Sequence, residues 1–279
     1  AHNFRHKFMQ RLWDEKIDTH ILIGNHDIYY RNTNKVNAIQ SLCTAPDGVN
    51  EPFIYEDPKV VEFDGLNILM MPWINPENEA HCFEMLNTAN ADVCMGHFDL
   101  NGFRMMDTVV QRHGYDKSIV SRFEKTYSGH FHHKNDDGQV YYLGSQYEMT
   151  WSDYNNQKGF HVFDTETREM IKIENPNRVF YKVFYDDENW TVDDVANYDV
   201  DQYRDKFVKV IVQNRTNAYL YDMFMGRMSE CGAVDVRAVD DHLNLDAEGV
   251  DEILDETKDT TEILSQYIDG LETTIDKVK

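Results

Sequence analysis

Apolar residues recur along this chain with two alternating periods. Over residues 4–16, Phe4, Phe8, Leu12 and Trp13 fall near helical spacing and predict a helix. The run Ile21-Leu22-Ile23 then stops at Gly24, which predicts a short buried strand. A helix feeding a strand is the second half of a βαβ unit. Residues 59–73, "KVVEFDGLNILMMPW", hold two strand-like runs around Asp64-Gly65, a hairpin turn. Further strands are predicted in "ADVCMGHF" (91–98), "KTYSGHFH" (125–132), "QVYYLGS" (139–145), "GFHVFDTE" (159–166) and "REMIKIE" (168–174). Helical segments are predicted near 77–89 and 115–124. The alternation describes an α/β fold with a substantial antiparallel component.

The texture changes near residue 178. "KFVKVIVQN" predicts a strand, and "AYLYDMFMGRMSECG" a helix with Tyr219, Met223 and Met228 inward and a stop at Gly232. "AVDVRAVDD" predicts a second strand, so 179–245 reads as a small second domain. From 246 to 279 eleven acidic and three basic residues surround an apolar stripe, Leu264, Ile268, Leu271 and Ile275, on one face of a helix. That stripe fits a helix packed on its own domain or one laid into a partner's groove.

Three of the predicted strands end in the same way. Gly24-Asn25-His26-Asp27, Gly96-His97 and Gly129-His130-Phe131-His132 each follow a buried run. Strand C-termini of open α/β sheets are where ligands sit, and glycine lets the backbone turn sharply there. In an extended strand His130 and His132 would share one side. Two imidazoles, a third from His97 and the amide oxygen of Asn25 make a set of neutral N and O metal ligands. Such a set suits manganese, iron or zinc better than calcium. Taken singly, each motif is as well explained by an ordinary structural histidine. The three in this order are not. Asp27 caps the next segment or orients His26, and His133 is ambiguous.

Composition narrows the reading. The chain has 279 residues, 41% of them hydrophobic, and a net charge of −23. That charge argues against broad attraction to nucleic acid, though not against a local basic groove. Cys43, Cys82, Cys94 and Cys231 are far apart, without a C-x-x-C, and read as free thiols of a reducing compartment. No apolar run approaches membrane-spanning length.

The succession "GNHD … GH … GHFH" resembles the calcineurin-like metallophosphoesterase superfamily. More narrowly, "GHFDLNGF" (96–103), "YSGHFHH" (127–133), "YYLGSQYEMTW" (141–151) and "KGFHVFDTET" (158–167) are similar to double-strand-break repair nucleases of the SbcD type and their counterparts in large tailed phages. The resemblance implies a metallophosphoesterase sandwich over 1–178, a small α+β capping domain over 179–245 that contacts DNA, and a C-terminal acidic helix in 246–279 that docks on a partner. It implies two divalent ions, manganese before magnesium. Asn25, His97 and His130 would bind one ion and His132 the other. His26 would be no ligand but the donor of a proton to the leaving oxygen. It further implies exonuclease and endonuclease activity on DNA, a coiled-coil ABC-type ATPase partner, a homodimer, and a bacterial host's cytoplasm.

One part of the family pattern is not met. The D-x-H and G-D-x-x-D motifs, which would supply the bridging carboxylate, are expected to be missing ahead of Gly24. The resemblance therefore implies about sixty further residues ahead of Ala1, and this chain by itself is expected to be inactive. Two other functions compete: a non-catalytic interaction module, and a calcineurin-like phosphoesterase acting on a small phosphodiester or a phosphoprotein.

Overall fold

A computed structural model describes residues 2–105 and 110–240, with side chains from residue 7 onward. The acidic tail helix expected in 246–279 lies outside the described residues. The chain forms two compact units. The first holds residues 1–145 and 159–173, and the second holds 146–158 and everything described from 174 on.

The first unit opens with helix α1 (His2–Asp14). Its buried stripe is Met9 and Trp13, four residues apart, while Phe8 is exposed, contrary to the expected face. Strand β1 (His20–Leu22) pairs in parallel with β2 (Phe53–Tyr55). Between them lies a short helix, α2 (Ala38–Leu42), capped by the Asn37 side chain. Strands β3 (Lys59–Phe63) and β4 (Leu66–Met71) form the antiparallel hairpin expected at Asp64-Gly65. Both turn residues have φ near the left-handed region, at 50° and 85°, as a tight hairpin requires.

Helix α3 (Glu79–Thr88) crosses to β5 (Val93–Gly96), and β6 (Lys125–Ser128), β7 (Asn135–Asp136) and β8 (Val140–Tyr142) complete a six-stranded sheet of order β3-β4-β5-β6-β8-β7. The central pairings β4–β5, β5–β6 and β6–β8 are parallel, and the edges are antiparallel. The helix expected over 115–124 shrinks to one 3₁₀ turn, Lys117–Val120, because the chain must pair with Asp92 by residue 124 to enter β6.

Both faces of this sheet are buried, which explains its near-continuous apolar strands. Leu69, Met71, Cys94, Val140 and Tyr142 pack against Cys82 and Leu86 of α3 and against Phe98, Phe103 and Phe123. On the other face, Ile68, Met70, Val93 and Tyr127 meet Leu22, Tyr55, Phe163 and Met170. The last two belong to β9 (Gly159–Phe163) and β10 (Met170–Glu174), a separate two-stranded sheet. Arg168, between them, pairs with Asp92 and Glu124. All four cysteines are buried, and none is in a disulfide among the described residues.

The second unit is a three-stranded, wholly parallel sheet of β11 (Phe180–Asp186), β12 (Phe207–Asn214) and β13 (Asp235–Asp240). The parallel pairings require crossovers, supplied by α4 (Val192–Asn197) and α5 (Ala218–Glu230). Asn217 caps α5, and Gly232, φ 83°, follows it. The buried face of α5 is Leu220, Phe224 and Met228. Tyr219, expected inward, is 65% exposed, because the stripe runs through i, i+4 and i+8 from Leu220. Residues 146–158 join this unit by packing on the sheet's second face: the Trp151 ring lies 4.8 Å from that of Phe180, tilted by 50°, and Lys209 lies 4.4 Å over the Trp151 ring. Glu148 accepts from the amides of Val179 and Phe180 at 2.7 and 2.9 Å.

Candidate functional site

Four chain segments leave the same edge of the first unit's sheet layers and are stitched to one another. The Trp73 amide donates to the Ile23 carbonyl (2.8 Å), the His97 amide to Met71 (3.1 Å), and the Gly129 amide to Gly96 (3.0 Å). The last two bonds continue the β4–β5 and β5–β6 pairings by one step past the strand ends, and the first ties the end of β1, which pairs with β2 in a separate sheet, to the segment after β4. The polar residues after β1, β5 and β6 therefore arrive at one place.

The first segment is a tight turn. The Asp27 amide donates to the Gly24 carbonyl, and Asp27 Oδ2 accepts from the Gly24 amide at 2.8 Å. That decides the role of Asp27: it locks the turn. Burial raises its pKa against the opposing effect of that hydrogen bond and of His26. Locking the turn buries Asn25 and leaves His26 exposed.

Asn25 Oδ1 is the meeting point. His97 Nε2 lies 2.8 Å from it and His130 Nδ1 3.3 Å. The imidazoles of His97 and His130 are edge to face, 5.3 Å apart, and the Trp73 ring stands 6.0 and 5.4 Å from them. The His97 ring occupies space that only glycine leaves. A Cβ on Gly24 would lie 2.8 Å from its Cε1, and one on Gly129 3.0 Å from its Nδ1. Burial, then the neighbouring charges of His130 and His26, push the His97 pKa down to about 3. His97 is thus a neutral imidazole at physiological pH, the form that binds metals.

His130 is held at φ 87°. For a residue with a Cβ this conformation costs about 1–2 kcal/mol, so the surroundings must enforce it. It also revises the geometry expected from the sequence. Strand β6 ends at Ser128, so the alternation of an extended strand does not relate His130 to His132. His132 lies in the following turn, where its carbonyl accepts from the Ser145 amide (3.1 Å). His133 is buried.

Asp99 was not among the residues singled out by the motifs. Its Oδ1 lies 3.8 Å from His130 Nε2 and accepts from Gln111 Nε2 at 2.7 Å. At 3.8 Å the carboxylate stands at ion-pair range of the imidazole, beyond hydrogen-bond distance. The signal was present: the carboxylate of "GHFD" stands two residues after His97. Tyr142, fully buried, sets this segment, its hydroxyl donating to the Phe98 carbonyl (3.0 Å) and accepting from the Leu100 amide (3.1 Å). The Ser128 hydroxyl accepts from the Phe98 amide at 3.0 Å.

The donor set fits part of one divalent ion's shell. Adjacent ligands of an octahedral ion, each at about 2.1 Å, stand about 3 Å apart, close to the separations around Asn25 Oδ1. Asn25 Nδ2 is buried with no hydrogen-bond partner among the described residues, so the amide satisfies the histidine pair at its own expense. The set does not provide for two ions. Among the described residues, no group of three or more His, Cys, Asp and Glu side chains is gathered to hold a metal. The carboxylates at hand are engaged, Asp27 with Gly24 and Asp99 behind His130. The letters D-x-H do occur, at Asp18-Thr19-His20, but at the entrance to β1. His20 is stacked on Phe53 at 4.6 Å and bonded to the Tyr55 hydroxyl at 2.6 Å.

This is a histidine-and-amide centre at the strand ends of a mixed α/β sheet. Over 182 residues the chain is 33% identical to exonuclease subunit 1 of Enterobacteria phage T4, a match covering 65% of this chain and 52% of that protein. The chain spans about half the length of this curated relative. No family model matches it. No helix among the described residues is long and apolar enough to cross a membrane.

Proposed function

We propose that this chain is the metal-binding core of a phage nuclease subunit that hydrolyses phosphodiester bonds of DNA in recombination and repair. The observation that carries the reading is the convergence of His97 and His130 on Asn25 Oδ1, within a chain similar to an exonuclease subunit. The fold proposed for the first unit is the calcineurin-like metallophosphoesterase sandwich. Layers of strands on one face of the central sheet support it.

Asn25, His97 and His130 would hold one divalent ion, and His132 would contribute to a second only together with a bridging carboxylate supplied by upstream segments, with manganese preferred for a mixed N/O set. Bound ions would polarise the scissile phosphate and lower the pKa of the attacking water. The chain's own residues do the rest. Asp99 stands at ion-pair range of His130, Gly24 and Gly129 admit the His97 ring, and exposed His26 gives a proton to the leaving oxygen. In the same proposal residues 179–245 form a capping domain that contacts DNA. The tail docks on a coiled-coil ABC-type ATPase, and the subunit works as a homodimer in the host cytoplasm.

Four neutral ligands without a bridging carboxylate cannot hold two dications a few ångströms apart. Alone, the chain is therefore expected to cut linear duplex DNA in manganese no better than a His97→Ala, His130→Ala control. With D-x-H and G-D-x-x-D segments placed upstream, cleavage should appear. His26→Ala should then abolish it while manganese binding persists, and His130→Ala should lose both. Cleavage at the original rate by the His26 variant overturns its role. Absence of cleavage in the extended protein, despite bound manganese, overturns the nuclease reading.

A further inference from the structure

The loop that follows the Asn25–His26 turn carries two adjacent tyrosines in the open. Tyr29 is 79% exposed and Tyr30 53%. Their rings touch only edge to face, 4.8 Å apart at 83°, so the pair keeps free π faces. Nothing about the loop is loose. The Tyr29 amide donates to Val36 (3.0 Å), the Ala38 amide to Asp27 (2.8 Å), and Ile28 bridges to Asn37. At its base the buried Asn34 donates to the carbonyls of Glu56 and Trp73 at 2.9 and 2.8 Å, and its Oδ1 accepts from Asn75 at 2.9 Å. A well-anchored loop loses little freedom on binding, so its exposed rings are preorganised.

We infer that Tyr29 and Tyr30 form a stacking platform for an unpaired base of a DNA strand entering the Asn25–His97–His130 centre. This rests on the nuclease reading and adds the form of the substrate, an unpaired or frayed end. Three arguments favour a base as the occupant. The platform is close: three residues span at most about 11 Å from His26 to Tyr29, the length of about three nucleotides at a 3.4 Å rise. The chain's net charge of −23 opposes recognition through phosphates alone, and Lys35 of this loop is already paired with Glu77. Arg31, exposed beside the pair, adds one cation to the loop, and the rest of the attraction to a strand draws on uncharged contacts, of which stacking on an aromatic face is the sequence-tolerant one. Within a duplex the base faces are covered, so such a platform selects unpaired nucleotides.

The test uses the 279-residue chain, a short oligothymidylate carrying 5-iododeoxyuridine, and a blunt duplex of equal length. Photo-crosslinking of the wild type should map to Tyr29 or Tyr30. The pair Tyr29→Ala, Tyr30→Ala should weaken single-strand binding about tenfold without altering duplex binding. The pair Tyr29→Phe, Tyr30→Phe should bind like wild type. Crosslinks elsewhere, equal loss for duplex and single strand, or unchanged single-strand binding in the alanine pair overturns the platform while leaving the nuclease reading intact. A change of oligomeric state in place of DNA binding overturns it in favour of a protein-facing surface. Wild-type binding to neither DNA overturns both readings. If the alanine pair does not fold, the wild-type crosslink map decides.

Discussion

Substituting Gly24 by alanine tests the packing that positions His97, and it separates sterics from general glycine effects. The new Cβ would lie 2.8, 3.0 and 3.1 Å from His97 Cε1, Nδ1 and Nε2. Ordinary carbon contacts are about 3.5–4.0 Å, so the ring must retreat by about 0.7 Å. That retreat breaks or lengthens the 2.8 Å approach of Nε2 to Asn25 Oδ1. On its other side the ring is bounded by Gly129. Overpacking of this kind costs about 1–3 kcal/mol, offset by about 0.4–1 kcal/mol from the stiffer unfolded chain. A net loss of about 1–2 kcal/mol is expected, roughly 2–8 °C in the melting of the first unit. The control is Gly226, exposed on α5 with no atom within 4 Å of its added Cβ. There alanine should stabilise by about 0.5–1 kcal/mol. Thermal unfolding gives the sign of each, and ¹⁵N spectra of the histidine rings report whether His97 has moved. Two stabilised variants, or an unshifted His97 in the Gly24 variant, would refute the steric argument.

The site's neutral imidazole has a pH signature. His97 has a folded pKa of about 3 against 6.5 in the unfolded chain, so its contribution is complete above pH 6.5 and is lost as pH falls toward 3. Between pH 6.5 and 5.5 stability should drop by up to about 1 kcal/mol; an equally steep fall in His97→Gln would rule out this assignment. Tyr142→Phe leaves the Leu100 amide and Phe98 carbonyl without their shared hydroxyl in a fully buried setting. Denaturant titration should show a loss of about 1–3 kcal/mol, and a loss below half a kcal/mol would refute the clamp. Asp99→Asn should lower manganese affinity by about tenfold, measured calorimetrically; an unchanged affinity would leave Asp99 a purely structural partner of Gln111. In the second unit, Asp187 accepts from the amides of Thr216 and Asn217 and from the hydroxyls of Thr216 and Tyr185. Asp187→Ala orphans these donors and should destabilise that unit by about 2–3 kcal/mol in the same titration, with little change in the first.

Local rules were sufficient wherever one short segment decides its own conformation. Asp64-Gly65 dictates a hairpin because its two left-handed residues match the twist of the flanking strands. Gly232 ends α5 as its place after the apolar run predicts, and the structure adds the Asn217 side chain as the cap that begins it. The glycine-and-histidine punctuation at three strand ends was legible as a set, although each motif alone fits an ordinary structural histidine equally well. Faces were harder. Phe8 and Tyr219 have the right spacing to point inward, yet Met9 and Leu220 win those places, because neighbouring elements and not the helix choose which stripe is covered. Convergence was beyond local reading altogether. His97 and His130 meet because parallel β5 and β6 bring their C-terminal ends into register, Asn25 joins them because the end of β1 is bonded to Trp73 beyond β4, and Asp99 reaches His130 only through the turn after β5. The left-handed His130 has no local cause. Packing on Trp73, His97 and Phe131 holds it, and such strain is stored only where tertiary contacts outweigh the preference of the backbone. Likewise residues 146–158 read as part of the first domain until the exposed face of a parallel sheet claimed Trp151, burying apolar surface that no local pattern could have assigned.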